Sequence, residues 1–163
     1  MDFDMTIFDT NRSGRKTRIF AIASAGGHWQ QLMELRDAFE GCDVLYATTL
    51  DGLADQFSAG PAVVIPDCNR NSRRRAARSA WAILVRLIRF RPDVVITTGA
   101  LPGVVALVLS KGIGARTIWV DSVANAERMS LSGMLARRMA DLWVSQWPHV
   151  ARATGARYFG AVL

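Results

Sequence analysis

The chain has 163 residues, of which 50% are hydrophobic and 21% charged, and it carries a formal net charge of +6. These values fit one globular domain with a packed core and exclude an intrinsically disordered chain. The presence of only two cysteines, Cys42 and Cys68, excludes a disulfide scaffold. No Cys/His cluster has zinc-site spacing, and no apolar run approaches the roughly 20 residues that span a bilayer.

Residues 1–17 are polar and contain three Asp, which predicts a flexible extension that is neither a signal peptide nor an anchor. From residue 18 to residue 163, short β-branched runs alternate with helical patterns. We predict strands at 18–24, 43–47, 62–66, 93–98, 116–121 and 141–145, with a short last strand at 157–163. We predict helices at 28–39, 50–57, 70–91, 101–111 and 131–139. The fold class is α/β, a doubly wound (Rossmann-like) parallel sheet of about six strands with helices on both faces.

Polar or glycine-rich segments follow four of the predicted strands. They lie at residues 24–28, 97–103, 121–128 and 145–149. Ligands of open α/β sheets bind beyond the carboxyl ends of the strands, where these segments are expected to meet. The sequence therefore predicts one site at this edge of the sheet.

The first of these segments, Ser24 to His28, follows a strand and opens a helix. Gly26 and Gly27 permit a tight turn and close approach of a ligand, and the helix N-terminus offers N–H groups to a phosphate. The segment lacks the full G-x-G-x-x-G spacing and a Walker lysine, so NAD and ATP sites are weakly supported. His28 is a candidate base or hydrogen-bond donor. The alternative is a structural turn whose histidine caps the helix.

The next two segments carry hydroxyl, amide and carboxylate groups. Thr98 and Gly99 suit an oxyanion or a sugar, whereas Asp121, Ser122 and Asn125 suit sugar hydroxyls. The structural alternatives are turn formation for the first pair and N-capping or loop hydrogen bonding for the second group.

Arginine is concentrated between residues 70 and 91, where eight arginines occur without an acidic residue, so the rest of the chain has a net charge of −2. Helical spacing places Trp81, Leu84, Val85 and Ile88 on one face, and Ile83, Leu87 and Phe90 on another. One face can pack on the core, while the other needs another partner.

Arginine beside surplus apolar residues suits an anionic bilayer surface. The predicted membrane contacts are Arg73, Arg74, Arg75, Arg78 and Trp81. One alternative is a core helix with a solvated basic end. Another is RNA binding, which the lack of aromatic stacking platforms on the strands disfavours, so no nucleic-acid partner is expected.

Five segments occur in an order that resembles the Alg14 family and its bacterial exopolysaccharide relatives of the PssD/CpsF type. They lie at residues 24–28 (SAGGH), 92–99 (PDVVITTG), 118–122 (IWVDS), 130–133 (SLSG) and 140–147 (ADLWVSQW). The resemblance covers about residues 18–163. It implies the N-terminal, acceptor-side half of a GT-B glycosyltransferase.

The resemblance implies an acceptor-binding subunit of a two-component inverting glycosyltransferase in exopolysaccharide synthesis. An Alg13/PssE-like partner would supply the other half and bind most of a UDP-sugar donor of the UDP-GlcNAc or UDP-glucuronate type. The acceptor would be a polyprenyl-diphosphate-linked saccharide, with no cofactor or metal expected. His28 is the first candidate for the catalytic base and Asp121 the second. The implied acceptor and phosphate contacts are Ser24, Gly26, Gly27, Thr98, Gly99, Ser122 and Asn125.

One departure from the resembled family concerns the membrane. Eukaryotic Alg14 proteins have an N-terminal membrane-spanning segment, and this sequence shows none. We therefore expect a cytoplasmic protein that is peripheral on the inner face of the plasma membrane. The family's C-terminal tail holds the partner, which implies contacts by Tyr158, Phe159 and Leu163. Alternatives are a noncatalytic scaffold that recruits a catalytic partner and a self-sufficient nucleotide-binding enzyme.

Overall fold

Six parallel strands form one sheet in the computed structural model, which describes residues 15–68 and 73–162. The strands are β1 (Arg18–Ile22), β2 (Asp43–Thr48), β3 (Ala62–Val64), β4 (Val94–Thr97), β5 (Arg116–Val120) and β6 (Leu142–Val144). Their order across the sheet is β3-β2-β1-β4-β5-β6. The order reverses between β1 and β4, where a doubly wound sheet opens its ligand crevice. The predicted fold class is confirmed.

Helices cover both faces of this sheet, so most strand residues are buried on both sides. They are α1 (Gly27–Glu34), α2 (Leu53–Gln56), α3 (Arg73–Phe90), α4 (Ala100–Lys111), α5 (Leu131–Ala136) and α6 (Pro148–Thr154). Trp29 and Leu32 of α1 and Leu53 of α2 pack on one face. Helices α3 to α6 pack on the other face around Trp119 and Trp143. Each face therefore has its own apolar core.

Several predicted boundaries differ from the structure. The helix predicted at 28–39 is α1 followed by a 3₁₀ turn at Arg36–Phe39. The helix predicted at 131–139 ends at Ala136, and the one at 50–57 is only the single turn α2. The last strand predicted at 157–163 is wrong, because residues 157–162 make only one bridge to the sheet, between Arg157 and Val144.

Helix α6 was not predicted from the sequence. Its apolar pattern is short, but Pro148 stands at its first turn and Gly155 ends it in the left-handed conformation. Proline at the start and glycine just past the end are the ordinary helix signals, and they were present in the sequence. Of the predicted N-terminal extension, residues 1–14 lie outside the described part of the chain.

The arginine-rich helix α3 packs through Ser79, Ile83 and Leu87. The other stripe faces outward, with Trp81 68% exposed and Ile88 54% exposed. The structure thus settles which face serves the core. The predicted membrane contacts Arg73, Arg74, Arg75 and Arg78 are all exposed, whereas Arg70 lies outside the described residues.

Asp141, which precedes β6, contacts both the end of α4 and strand β5. Its carboxylate accepts hydrogen bonds from Thr117 N (2.8 Å) and Thr117 Oγ1 (2.9 Å), and it pairs with Lys111 at the end of α4. Burial raises the pKa of Asp141, but the hydrogen bonds from Lys111 and Thr117 outweigh burial and hold that pKa below its usual value. The group therefore stabilises the fold above the unfolded-state pKa of about 3.9, and this contribution is lost as pH falls through the lower folded-state pKa.

We expect Asp141→Asn to lower the free energy of unfolding by about 1 kcal/mol at pH 7, the contribution of a typical hydrogen bond. Urea unfolding at pH 7 and pH 3 measures this effect. The difference between the two proteins should shrink at pH 3, because the unfolded wild-type chain binds a proton on this carboxyl there and part of the stabilisation is lost. An equal difference at both pH values would contradict the assignment.

Candidate functional site

The four predicted site segments meet at the carboxyl edge of the sheet. They follow β1, β4, β5 and β6, which are neighbours in that order. The segments after β1 and β4 flank the point where the strand order reverses. This arrangement follows from the parallel topology and confirms that the segments share one edge of the sheet, while ligand binding there stays a prediction.

His28 and Thr98 join the first two segments by a reciprocal pair of hydrogen bonds. The imidazole Nδ1 lies 3.0 Å from the Thr98 carbonyl oxygen, and Thr98 Oγ1 donates to the His28 carbonyl oxygen over 2.6 Å. Because a carbonyl oxygen only accepts, Nδ1 must carry the proton. The neutral ring then has its lone pair on Nε2, which makes no hydrogen bond within residues 15–68 and 73–162. That tautomer is the one a general base needs.

Gly99 allows the His28 ring to lie against the β4–α4 turn. Its φ is +142°, and a Cβ there would lie 2.5 Å from His28 Cε1 and Nδ1. Gly103, one turn later, packs in the same way on Thr97, because a Cβ there would lie 2.2 Å from Thr97 Oγ1. Both glycines are therefore required by close contacts in the site.

We expect Gly99→Ala to displace the His28 ring and to lower the free energy of unfolding by about 1–3 kcal/mol. The matched control is Gly114→Ala, because Gly114 also has a positive φ (+74°) but open space around its Cα. Nitrogen NMR of the imidazole should report loss of the Nδ1–H tautomer in Gly99→Ala only, and urea unfolding should report its stability. An unchanged His28 spectrum in Gly99→Ala would contradict the packing described here.

The first turns of α1 and α4 present unsatisfied backbone N–H groups at the same edge. Neither helix has a side-chain N-cap hydrogen bond, and their N-cap residues are Gly26 and Gly99. Gly26 and Gly27 are exposed, with open space around their Cα atoms. Ser24, at the end of β1, is half-buried. Two neighbouring helix N-termini provide positive potential for an anionic group.

Asp121 is placed differently from His28. It is 2% exposed, and its carboxylate accepts hydrogen bonds from Trp119 Nε1 (3.1 Å), Ser130 N (3.0 Å) and Ser130 Oγ (2.5 Å). Ser130 is in turn the N-cap of α5 and accepts from Gly133 N. These contacts favour a positioning role, in which Asp121 fixes the start of α5. Its catalytic role stays a prediction.

Ser122 is also buried, and two glutamines bind the backbone or side chains at this position. Gln31 Nε2 donates to Ser122 Oγ over 3.0 Å, while Gln31 Oε1 accepts from Val123 N over 3.0 Å. Gln146 Nε2 donates to the Asp121 carbonyl oxygen over 2.9 Å. Gln146 lies in the predicted segment at 145–149, but neither glutamine was singled out from the sequence. For Gln31 no sequence signal exists, because a polar residue on a helix is usually solvent-exposed.

Asn125 is half-buried beside an open groove of about 720 Å³. Arg128 lines the polar end of that groove, and Leu101, Leu131 and Leu135 line its apolar side. Leu131 is 71% exposed and Leu135 is 52% exposed, which is unusual for neighbouring leucines on a short helix. The groove therefore offers an amphiphilic surface next to the segments that follow β4 and β5.

The C-terminal residues follow α6 back across the sheet. Tyr158 is 46% exposed, whereas Phe159 packs against the α1-side core, with the Arg157 guanidinium 5.2 Å from its ring centroid. Leu163 lies outside the described residues. Of the three predicted partner contacts, Tyr158 is the one that the structure places on the surface.

Two negative observations apply to residues 15–68 and 73–162. No three His, Cys, Asp or Glu side chains come together there as a metal site would need. No helix within these ranges combines the length and the apolar character that crossing a bilayer requires.

Burial raises the pKa of both thiols, Cys42 and Cys68, so both stay protonated at neutral pH.

A family model described as "Oligosaccharide biosynthesis protein Alg14 like" matches residues 65–162. The match spans more than half of the chain and includes the loops after β4, β5 and β6. The chain belongs to the Alg14 family. The Gly26–His28 turn lies outside the matched range, so its assignment to the site rests on the fold and the contacts described above.

Two Alg14 relatives extend this comparison. The UDP-N-acetylglucosamine transferase subunit ALG14 of Eremothecium gossypii is 28% identical over 92% of this chain and 82% of its own length. The subunit of the same name from Mus musculus is 30% identical over 43% of this chain and 35% of its own length. Family membership and these relatives support a glycosyltransferase subunit.

Solved structures show the same fold at low identity. The match to Acinetobacter baumannii MurG has a TM-score of 0.70 and 12% identity over 89% of this chain and 45% of that chain. A putative UDP-N-acetylglucosamine 2-epimerase from Listeria monocytogenes gives a TM-score of 0.69 and 16% identity, over 89% and 44%. The chain thus has the fold of a GT-B N-terminal domain and spans about half the length of the solved structures it matches.

Proposed function

We propose that this Alg14 family chain is the acceptor-binding subunit of a two-component inverting glycosyltransferase. Its partner is an Alg13/PssE-like subunit that binds most of the UDP-sugar, of the UDP-GlcNAc or UDP-glucuronate type. The acceptor is a polyprenyl-diphosphate-linked saccharide in exopolysaccharide synthesis. The observation that carries the proposal is the placement of His28, which lies in the first turn of α1 and whose ring packs against Gly99, the N-cap residue of α4, at the switch point.

The proposed reaction uses His28 as general base. As the acceptor hydroxyl oxygen forms its bond to the anomeric carbon, Nε2 takes the hydroxyl proton, and the bond from that carbon to UDP breaks with its electron pair leaving on UDP. Thr98 holds the imidazole in the required tautomer. The N-termini of α1 and α4 bind the acceptor diphosphate, and Asn125 contacts acceptor sugar hydroxyls.

The proposal is tested by reconstitution with the Alg13/PssE-like subunit. Transfer of labelled sugar from UDP to a polyprenyl-diphosphate-linked acceptor is measured with each subunit alone and with both together. We expect transfer only with both, because the Alg14 relatives of this chain are named as subunits of a transferase. Robust turnover by this chain alone would show instead a self-sufficient enzyme.

A membrane-facing side is supported by the distribution of exposed apolar residues. Of the large apolar side chains exposed in the described ranges, six lie on α3, α4 and α5, which pack side by side on one face of the sheet. They are Trp81, Ile88, Val108, Leu131, Met134 and Leu135. With the arginines at the start of α3, this face supports a peripheral position on the inner face of the plasma membrane.

The groove beside α5 would hold the first isoprene units of the acceptor. We expect Leu131→Glu to raise the KM for a long-chain polyprenyl acceptor by about 10-fold or more, because burying a leucine contributes about 1.5–3 kcal/mol. The KM for a short-chain soluble acceptor should change little.

Ile113→Glu is the matched control. Ile113 is 41% exposed but follows the other end of α4, at the opposite edge of the sheet. Equal effects of the Leu131 and Ile113 substitutions, or equal effects on both acceptors, would count against lipid binding in this groove.

A further inference from the structure

A hydrogen-bonded path connects the C-terminal tail to the loop after β5. The tail residue Val162 donates its backbone N–H to Gln146 Oε1 over 2.7 Å. Gln146 Nε2 donates to Gln31 Oε1 and to the Asp121 carbonyl oxygen, both over 2.9 Å. Gln31 then holds the loop through Ser122 Oγ and Val123 N. Two side chains thus bridge the end of the chain and the loop that carries Asn125.

The orientation of both amides is fixed by these partners. Val162 N and Val123 N are donors, so each must face a glutamine oxygen. The Asp121 carbonyl oxygen is an acceptor, so it must face the Gln146 amide nitrogen. Rotation of either amide by 180° would place its NH2 group against a backbone N–H donor and leave that donor without an acceptor. The path has therefore one satisfied arrangement.

Both glutamines are buried, since Gln146 is 2% exposed and Gln31 is 9% exposed. A buried amide that loses a partner carries a desolvation penalty that water does not offset. Displacement of Val162 would leave Gln146 Oε1 without its tail donor and allow its amide to move. Because Gln146 and Gln31 share a hydrogen bond, the change would reach Val123 and Ser122.

Trp147 and His149 hold the same loop further along. Trp147 Nε1 donates to the Val123 carbonyl oxygen over 2.7 Å, and His149 Nε2 lies 2.5 Å from the Ala126 carbonyl oxygen. These contacts come from the β6–α6 connection and do not involve the tail. Loss of the tail contact would leave these two contacts in place, so the loop would keep its fold while the glutamines change its position.

We propose that Gln31 and Gln146 are positioning residues that couple the placement of the C-terminal tail to the geometry of the acceptor loop at residues 121–125. This inference rests on the proposed function, in which the loop binds the acceptor, and on the expectation from the family resemblance that the tail meets the partner subunit. Partner docking on the tail then determines how well the loop receives the acceptor.

The first test deletes residues 161–163 and follows amide hydrogen exchange in the isolated chain. We expect exchange at Val123 to become about tenfold faster, the effect of one lost hydrogen bond, while exchange in β1 and β4 stays unchanged. Tyr158→Ala is the control, because Tyr158 is an exposed tail residue outside the path. Unchanged exchange at Val123 after the deletion would overturn the coupling.

The second test uses Gln146→Glu, which keeps an oxygen for Val162 N–H but has no N–H for Asp121 or Gln31. With partner and UDP-sugar at saturating concentrations, we expect the KM for the acceptor to rise about tenfold, while kcat and the KM for UDP-sugar stay within about twofold. The Val162 amide should remain protected. An unchanged acceptor KM, or a uniform loss of kcat, would overturn the positioning role.

The two measurements separate this inference from the proposed function. Hydrogen exchange in the isolated chain requires neither transfer nor a partner. Coupled exchange without any sugar transfer would contradict the proposed function and leave the tail–loop coupling in place. Sugar transfer together with unchanged amide exchange at Val123 would contradict the tail–loop coupling and leave the proposed function in place.

Discussion

Replacing His28 by asparagine is expected to lower kcat of the reconstituted transferase by about 100- to 10,000-fold, the usual contribution of a general base. Asparagine retains a side-chain N–H that can donate to the Thr98 carbonyl oxygen, as Nδ1 does in the wild type. It has no group in the position of Nε2. The variant therefore removes the proton acceptor while keeping the contact between the two loops.

Three measurements complete the His28 experiment. Affinity for the partner subunit and the melting temperature of the chain should both match the wild type, and affinity for the acceptor should change by less than about tenfold. If activity persists in both His28→Asn and Asp121→Asn while the complex forms normally, this chain is a scaffold for a partner that contains all the chemistry. The two variants together thus decide between the proposed enzyme subunit and its noncatalytic alternative.

Reversing three charges at the start of α3 has the second large expected effect. Arg73→Glu, Arg74→Glu and Arg75→Glu together should weaken binding to vesicles containing anionic lipid by about 100-fold or more. Each basic residue near such a surface contributes about 1 kcal/mol, and acidic replacements add repulsion. These arginines are exposed in the first turn of the helix, next to the outward-facing stripe that carries Trp81. Co-sedimentation with vesicles at several salt concentrations measures the effect.

The control changes the net charge equally, away from the first turn of α3. Lys16→Glu, Arg36→Glu and Arg157→Glu are exposed positions before β1, after α1 and in the tail. We expect this triple variant to lose far less vesicle affinity. Equal losses for the two triple variants would remove the membrane role of α3. Salt-sensitive binding of RNA without preference for anionic vesicles would favour the nucleic-acid alternative.

The fold was predictable because its signals are local and repeated. The strands are continuous apolar runs and the intervening segments have helical spacing, which together specify a parallel sheet. In parallel sheets the carboxyl ends share one edge, so the placement of His28, Thr98 and Asn125 at a common edge followed from strand assignment alone. The short helix α6 was not predicted, because its seven residues contain too few apolar positions to show the helical period.

The inner contacts of the site were not predictable in the same way. From the sequence, Asp121 is expected to be an exposed polar residue after a strand. In the structure its carboxylate accepts hydrogen bonds from Trp119 and Ser130 and is buried. Gln31 and Gln146 meet although they are 115 positions apart in the chain. Such pairings depend on the packing of α1 against the β5 and β6 loops, and no short-range pattern encodes that packing.

The bridge between Arg157 and Val144 affects how much of the sheet edge is exposed. Arg157 N and O bond to Trp143 O and Ser145 N, so the tail covers part of the outer side of β6, and β3 at the opposite margin has only three residues. Long uncovered margins of a sheet recruit strands from other molecules and lead to fibres. The short β3 and the partly covered β6 therefore leave this sheet little exposed edge at which a second copy could pair.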